Sequence, residues 1–386
     1  MREYVALKHI PTLTGLRAWA FGLVLLDHWV PFFHHLLMAG NGGVSLFLVL
    51  SGFLISRLLI YSKLAHTPFR DYLLHFYRRR AQRIFPLYFL VLFILLLLGN
   101  EVVRQKWVCF FTFTANYYLI NNPNSLLDHF WSLSAEEQVY IFVPFLIWLC
   151  PLNRLPLLAL LLVGSSCLFR GTAYFWKGEP TWWTFSYESI LGCLDCYGIG
   201  LFVAYAHLIK PQWASQVFAS AFVLRILFMT WVTILLLGIY WEVRGFGDYC
   251  NPVTAVSVRL SVAVFGGYLI GYCHQSSGYW VKVLLLNPVF QYLGSISYGL
   301  YIIHNLIYNA HMSVTCPTRR AWRLIESLIF RNNSSITSQH PTLELIFYLL
   351  ITISLASLSW YGLEKPFLRH QTKKANHRSF YLIQTK

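Results

Sequence analysis

The sequence predicts an all-α protein that crosses a membrane about ten times, with both chain ends in the cytoplasm. Hydrophobic residues make up 57% of the 386 positions and charged residues only 12%, against roughly 25% charged residues in ordinary soluble domains. Apolar runs recur along almost the whole chain with short polar interruptions. We therefore expect one integral membrane domain over residues 1–370, followed by a short basic cytoplasmic tail over 371–386.

Ten segments have the length and composition of membrane-spanning helices. They lie near 14–36, 43–61, 84–99, 136–150, 155–170, 186–208, 217–241, 253–273, 283–311 and 342–363. A further segment over 106–120 is shorter and carries Thr112, Thr114 and Asn116. It could therefore lie at the membrane interface or re-enter the bilayer.

Positive charge places two parts of the chain in the cytoplasm. The connection between the second and third segments has a single acid and the cations Arg57, Lys63, Arg70, Arg78, Arg79, Arg80 and Arg83. The tail after Glu364 has six cations and no acid. An even number of crossings must separate the two, which holds with eight segments and fails if 106–120 crosses as well. The connection over 312–341 then faces outward, although it contains four arginines.

The formal charge of +15 therefore belongs to the connections, and we expect no nucleic-acid partner. Among the eight cysteines, Cys193 and Cys196 are a close pair, one helical turn apart in an apolar segment. No second pair of Cys or His completes a tetrahedral set, which favours buried thiols over a metal site. We expect no metal.

An acid and an imidazole stand side by side in the first segment, in LVLLDHWVPFF. Arg17 and His28 are eleven residues apart, which on a helix is a rise of about 16.5 Å and a rotation of about 20°. They share one stripe that can face an interior cavity. Asp27 lies about 100° around the helix from His28, so it needs a partner on another helix. A packed polar pair without chemistry is the alternative.

Two further motifs combine small residues and arginines. The segment GNGGVSLFLVLSGFLISRLL contains Ser45 and Ser51, which can bond across closely packed helices. In FYRRRAQRIFPLY, Arg80 and Arg83 are one helical turn apart, where their guanidinium groups could grip phosphates. Alternatively, these arginines only fix the topology or contact anionic lipid.

The segment DHFWSLSAEEQVYIFVP places Trp131 and Ser132 ahead of two adjacent glutamates. Ser134 and Glu137 have the spacing of a capping box, which gives Glu137 a structural reason to be there. Glu136 points elsewhere, at a depth where an unpaired carboxylate is costly.

The last motifs lie near the end of the chain. In LGSISYGLYIIHN, Tyr298, Tyr301 and His304 are three residues apart and form a slowly drifting stripe on a helix, a pattern also typical of interfacial packing. In YGLEKPF, Glu364 stands just before basic residues, which predicts a salt bridge at the inner interface.

These segments, in this order, resemble acyltransferase family 3 of integral membrane proteins. The resemblance rests on LTGLRAWAFGLVLLDH, GGVSLFLVLSGFLI, RRRAQRIFPLY, FWSLSAEEQVYIFVP, LGSISYGLYIIH and LEKPF. It implies an O-acyltransferase that moves an acyl group, most often acetyl, from cytoplasmic acyl-CoA to a hydroxyl of a surface or lipid-linked carbohydrate. Many members also carry an extracytoplasmic esterase-like domain, which we do not expect in this chain.

Carried over position by position, the resemblance implies that His28 is the essential histidine of the first helix and Arg17 its arginine. Arg80 and Arg83 match the paired arginines associated with the CoA end of the site. Glu136 occupies the acidic position of the WSL motif.

The hypothesis that follows makes His28 the general base, or a transient carrier of the acyl group. Glu136 would orient His28 or hold the acceptor, and the three arginines would pair with the CoA phosphates. The acceptor-binding candidates on the same motifs are Ser51, Trp131, Ser132, Tyr298 and His304. Ser45 stands where many members of the family have aspartate.

Other functions remain open at this point. The acceptor could equally be a small glycosylated metabolite such as a macrolide. A proton-coupled transporter or flippase, in which Asp27, His28 and Glu136 relay protons, would need repeat symmetry and paired broken helices, neither of which is visible in the sequence. A purely structural scaffold leaves the buried charges without purpose. We expect the protein in the inner (cytoplasmic) membrane of a bacterium.

Overall fold

The computed structural model describes residues 9–30, 39–124, 126–177, 181–243, 251–276, 278–312 and 341–368. Within these ranges the chain is helical and has no strand, which confirms the predicted all-α class. The helices are α1 Pro11–Trp29, α2 Ala39–Leu64, α3 Phe69–Leu97, α4 Glu101–Gln105, α5 Trp107–Phe111, α6 Ala115–Leu119, α7 Phe130–Leu149, α8 Leu155–Lys177, α9 Trp182–Glu188, α10 Ile190–Ile209, α11 Pro211–Val217, α12 Ala221–Val243, α13 Pro252–Gln275, α14 Tyr279–Leu285, α15 Pro288–Ser295, α16 Ser297–Met312 and α17 Pro341–Ser359. The predicted tail and the arginines of the 312–341 connection lie outside the described residues.

Seven helical stretches in the described part of the chain are long and apolar enough to cross a membrane. They are Gly40–Leu64, Phe69–Leu97, Leu152–Trp176, Trp182–Ile209, Ala221–Tyr240, Pro252–Gln275 and Leu345–Leu368. These stretches agree with an integral membrane protein.

The chain forms two compact units. The first consists of Met1–Tyr72, Phe113–Asn124 and Asp128–Ser295, and the second of Leu73–Thr112, Ser125–Leu127 and Ile296–Lys386. Helix α3 begins in the first unit and continues in the second.

In the first unit, α2, α7, α10 and α13 run in the same direction. Contacts between α2 and α7 begin at Ser51 and Glu136 and continue toward their C-terminal ends, where the Lys63 Nζ donates to the carbonyl oxygen of Ile147 at 2.9 Å. Helix α1 runs the opposite way, since Asp27 near its end lies against the start of α2. Parallel α2 and α7 are expected if α3 alone crosses between them, as the parity argument requires.

Glycines allow the central helices of this unit to touch at the backbone. A methyl group at Gly200 on α10 would overlap the backbone nitrogen of Phe53 on α2, and one at Gly43 would lie 2.5 Å from the carbonyl oxygen of Ala20 on α1. Inside a bilayer the hydrophobic effect does not drive helices together, because lipid tails are as apolar as the helix surfaces. Close packing is therefore a main source of helix association. The packing fixes α2 between α1 and α10.

Two predicted segments differ from the structure. The segment 283–311 is not one helix, because Asn287 Oδ1 accepts a hydrogen bond from the Val289 N–H at 2.8 Å and Pro288 starts α15. The segment 106–120 contains two five-residue helices separated by Phe113 at a φ of 55°, so it does not form a continuous spanning helix.

The second unit is built on α3, α16 and α17. The Tyr88 hydroxyl donates to the carbonyl oxygen of Phe110 at 2.8 Å, which joins α3 to α5. The Tyr298 hydroxyl donates to the carbonyl oxygen of Ile84 at 2.7 Å, which joins α16 to α3. Helix α17 continues as a π-helix over Trp360–Glu364, a geometry that is frequent at functional sites.

Candidate active site

Helix α1 carries Arg17 and His28 on one uninterrupted helix, Pro11–Trp29. Both side chains are half-buried. The helix lies against α2 and α15, and its Asp27 is 9% exposed. A methyl group at Gly40 would lie 2.7 Å from Asp27 Oδ2, so the acid packs against the first turn of α2, on another helix as expected.

Glu136 is held by two hydroxyl groups in the interior of the first unit. Ser51 on α2 and Tyr140, one turn further along α7, both donate to Glu136 Oε1. The Tyr140 hydroxyl also lies 3.3 Å from Ser51 Oγ. A carboxylate that accepts charge-assisted hydrogen bonds at this depth is stabilised and fixed in orientation. The structure thus brings two predicted site residues, Ser51 and Glu136, into one cluster.

A small cavity borders this cluster. Gly52, Ser56, Tyr140 and Tyr197 contribute to its lining together with Val, Leu and Ile side chains. Tyr197 is 2% exposed, and within the described residues its hydroxyl has no hydrogen-bond partner. The cavity therefore joins an apolar wall to a buried hydroxyl group.

Trp131 and Ser132 lie just inside the N-terminal end of α7, and both are buried. The Trp131 ring meets the ring of Tyr187 edge to face, with centroids 5.5 Å apart. Ser132 Oγ donates to the carbonyl oxygen of His129 at 3.3 Å.

The predicted capping box at Ser134 and Glu137 is wrong. Helix α7 begins at Phe130 with His129 as its N-cap, four residues before Ser134. Ser134 and Glu137 therefore lie beyond the first turn of α7 and cannot cap its N-terminus. Before the helix, Asp128 accepts a hydrogen bond from the Asn124 N–H at 2.5 Å; burial raises the pKa of Asp128, and this hydrogen bond opposes the shift.

The second unit holds the other predicted site residues. Tyr298 bonds to α3 as described above, and His304 is fully buried, with Nδ1 2.7 Å from the carbonyl oxygen of Tyr301. The guanidinium carbon of Arg80 lies 5.9 Å from the ring centroid of Phe76. Arg80 and Arg83 are both half-buried on α3, one turn apart as predicted.

Glu364 is buried at the end of the last helix, and the basic residues that follow Lys365 lie outside the described residues, so its salt bridge with them stays a prediction. Its side chain is 1% exposed and accepts a hydrogen bond from Ser359 Oγ at 2.9 Å. The positive charge of Arg83 acts on this carboxyl group, while Lys365 lies over the Tyr361 ring at 4.6 Å. The hydrogen bond from Ser359 to Glu364 thus connects the two ends of the π-helix, and Arg83 is the cation that acts on this carboxyl group.

Sequence reasoning missed a second polar cluster in the first unit. Arg170 on α8 and Asp195 on α10 are both fully buried and paired at 2.7 Å. Arg259 on α13 is 1% exposed and donates from Nη1 to the carbonyl oxygen of Tyr187 at 2.5 Å and from Nη2 to Cys193 Sγ at 3.3 Å. The signal was present, because all three charged residues stand within predicted spans, where a charge is costly.

The comparison with known families decides the classification. The family described as "Acyltransferase domain" (Acyl_transf_3) matches residues 10–361. The chain belongs to acyltransferase family 3. This confirms the resemblance seen in the six motifs.

Two relatives are similar over most of this chain. The provisionally named peptidoglycan O-acetyltransferase YrhL of Bacillus subtilis (strain 168) is 27% identical over 97% of the chain. O-acetyltransferase OatA of Staphylococcus aureus (strain NCTC 8325 / PS 47) is 26% identical over 93% of the chain. The chain spans 57% of the length of each relative. No solved structure matches the chain.

Proposed function

We propose that this chain is a membrane O-acetyltransferase that moves an acetyl group from cytoplasmic acetyl-CoA to a hydroxyl of a carbohydrate on the opposite face. The family match over residues 10–361 supports the acyltransferase reaction. The names of the two relatives support acetyl as the group, and the name of the Bacillus subtilis relative supports a cell-surface carbohydrate, peptidoglycan, as the acceptor. The proposal places the protein in the inner membrane of a bacterium, with ten crossings and both ends in the cytoplasm.

The observation that carries the proposal is the hydrogen-bonded Glu136 cluster at the start of α7. An acid at this depth has a purpose if it acts on a polar substrate or on the base that deprotonates one. Ser51 and Tyr140 hold the carboxyl group in place, and Glu136 orients His28 or accepts a hydrogen bond from the acceptor.

In the proposed reaction, His28 removes the proton from the acceptor hydroxyl. The hydroxyl oxygen attacks the carbonyl carbon of the thioester, the carbon–sulfur bond breaks, and the thiolate of CoA takes up a proton as it leaves. Arg17, Arg80 and Arg83 pair with the phosphates of CoA. The proposal assigns binding of the acceptor to Ser51, Trp131, Ser132, Tyr298 and His304.

His28→Ala tests the catalytic role of the imidazole. We expect acetyl-CoA-dependent O-acetylation in membranes to fall by about a hundredfold or more, since general bases contribute factors of that size. His75→Ala, which changes an exposed histidine on α3, is the matched control and should retain activity at equal expression. Activity of His28→Ala close to wild type would remove His28 from the mechanism.

The acceptor is identified by a mass shift. We expect acetylated surface glycans in cells with the gene and none of that modification in cells without it, measured by mass spectrometry of glycans and of secreted small molecules. A shift confined to a secreted glycosylated metabolite would replace the polysaccharide acceptor with that metabolite.

A further inference from the structure

A second cavity in the first unit has the buried Arg259 in its lining. Three aromatic residues, Trp183, Tyr187 and Trp231, form much of its wall. Asn41, Ser45 and Thr254 add polar side chains to the lining. Tyr187 connects this cavity to the predicted acceptor site, because its ring contacts Trp131.

Arg259 is buried without a hydrogen-bonded carboxylate among the residues that the structure describes. Its two hydrogen bonds go to a carbonyl oxygen and a sulfur atom, and its guanidinium carbon lies 4.0 Å from the centroid of the Tyr187 ring. Its Nε has no hydrogen-bond partner there. A guanidinium group has five N–H donors, so most of its hydrogen-bonding capacity is available.

The nearest acids do not fill this capacity. Asp195 acts electrostatically on Arg259. Its Oδ2, however, accepts a hydrogen bond from Arg170 Nη2 at 2.7 Å, and its Oδ1 accepts one from the Cys196 N–H at 2.8 Å. Glu188 acts on Arg259 through space only. Buried charges are normally paired, yet neither acid makes a hydrogen bond to Arg259 among the described residues.

Two helix starts also border the cavity. The first turn of α2 contributes Asn41, and the first turn of α13 contributes Thr254. Helix N-terminal ends carry partial positive charge and attract anions. The start of α2 therefore adds partial positive charge beside this cavity, while the first N–H groups of α13 already donate to Asn251 Oδ1.

The position of the cavity relates it to the acceptor. It lies at the N-terminal ends of α2 and α13, opposite the C-terminal end of α2, which the positive-inside pattern places in the cytoplasm. The acceptor of the proposed reaction arrives from that opposite face. The cavity is thus at the end of the first unit that lies away from the CoA side.

We propose that the Arg259 cavity binds an anionic group, a carboxylate or a phosphate, presented from the extracytoplasmic face. This inference rests on the proposed function, which makes a carbohydrate the acceptor. An acidic saccharide is then the main source of the anionic group. The headgroup phosphate of an anionic lipid is the other source of the same chemistry. Arg259 supplies the charge-assisted hydrogen bonds, and the aromatic wall packs against the body of the ligand.

Anion binding is measured without acetyl-CoA. A negative result therefore contradicts the anion site and does not bear on the proposed acetyl transfer. The purified protein is reconstituted in phosphatidylcholine nanodiscs and titrated with sodium glucuronate, with glucose in matched sodium chloride, and with inorganic phosphate. We expect glucuronate or phosphate to raise the melting temperature and glucose to have no effect. In Arg259→Gln the apparent Kd should weaken by at least about tenfold, the scale of one charged hydrogen bond.

Arg170→Lys is the matched control, because it changes an equally buried arginine that is already paired with Asp195. It should bind the anions as the wild type does. If Arg259→Gln does not fold, Arg259→Lys and the wild-type comparison of glucuronate with glucose decide the question. Stabilisation only in nanodiscs that contain phosphatidylglycerol, lost in the Arg259 variant, assigns the anion to lipid. No response to any anion, or an equal response in the Arg259 variant, overturns the proposal.

Discussion

The carboxyl group of Glu136 depends on residues from two helices. Ser51 comes from α2 and Tyr140 from α7, and both donate to the same oxygen. Glu137, its neighbour in sequence, projects from a different side of α7, since adjacent residues on a helix are about 100° apart. The two glutamates are chemically identical, so their environments alone distinguish them.

Glu136→Gln should lower O-acetylation by about a hundredfold, because the amide loses the negative charge that orients a base or an acceptor hydroxyl. Glu137→Gln is the matched control and should retain activity. Both variants are compared in membranes at equal expression, with the rate of acetyl transfer from acetyl-CoA as the measurement. Similar losses in both variants would contradict a special role for Glu136.

At the residue scale, the sequence predicted which polar residues lie in apolar helices better than it predicted which of them contact one another. Arg17 and His28 were placed on one stripe by helical arithmetic, and α1 is indeed continuous over both. The contact of Ser51 with Glu136 joins positions far apart in the sequence, and local periodicity contains no information about it. Arg259 escaped because it belongs to none of the six family motifs, although its charge stands in an apolar segment just as Asp27 does.

At the element scale, the contact of α2 with α10 depends on glycine. Gly200 faces the backbone of Gly52 and Phe53, so the two helices leave no room for a side chain there. Gly164 on α8 is the opposite case, because an added methyl group would meet nothing within 4 Å. The same substitution at the two sites therefore separates close packing from helix propensity.

Gly200→Ala should destabilise the protein by about 1–3 kcal/mol through overpacking, and lower its melting temperature in detergent. Gly164→Ala should leave the melting temperature unchanged or raise it, since alanine favours a helix by up to about 1 kcal/mol over glycine. An unchanged melting temperature for Gly200→Ala would contradict this prediction, because it would mean that α2 and α10 can move apart without loss of stability.

Hydropathy predicted the positions of most helices but not their continuity. It treats 283–311 as one apolar run, whereas Asn287 and Pro288 start a new helix within it. The sequence contains that signal, an N-cap residue followed by proline. The capping box at Ser134 failed for the reverse reason, because its pattern occurs in the interior of a helix that starts earlier, at Phe130.

At the scale of the whole molecule, helix direction tests the topology. Contacts in the first unit make α2 and α10 parallel, since Ser45 lies near Tyr187 while Gly52 and Phe53 lie near Tyr197 and Gly200. Helix α13 follows the same direction, with Arg259 near Tyr187 and His274 near His207. An odd number of crossings between such helices agrees with the charge distribution and with a 106–120 segment that does not span.

Cysteine labelling checks this topology in intact cells. Ala65→Cys in the α2–α3 connection and Lys210→Cys after α10 should react with a membrane-impermeant maleimide only after the cells are broken, because both connections are predicted to be cytoplasmic. Asn121→Cys, between α6 and α7, should react in intact cells. All three positions are exposed, and the unsubstituted chain gives the background from its eight cysteines. Labelling of Lys210→Cys from outside would mean an even number of crossings between α2 and α10, in conflict with their parallel packing.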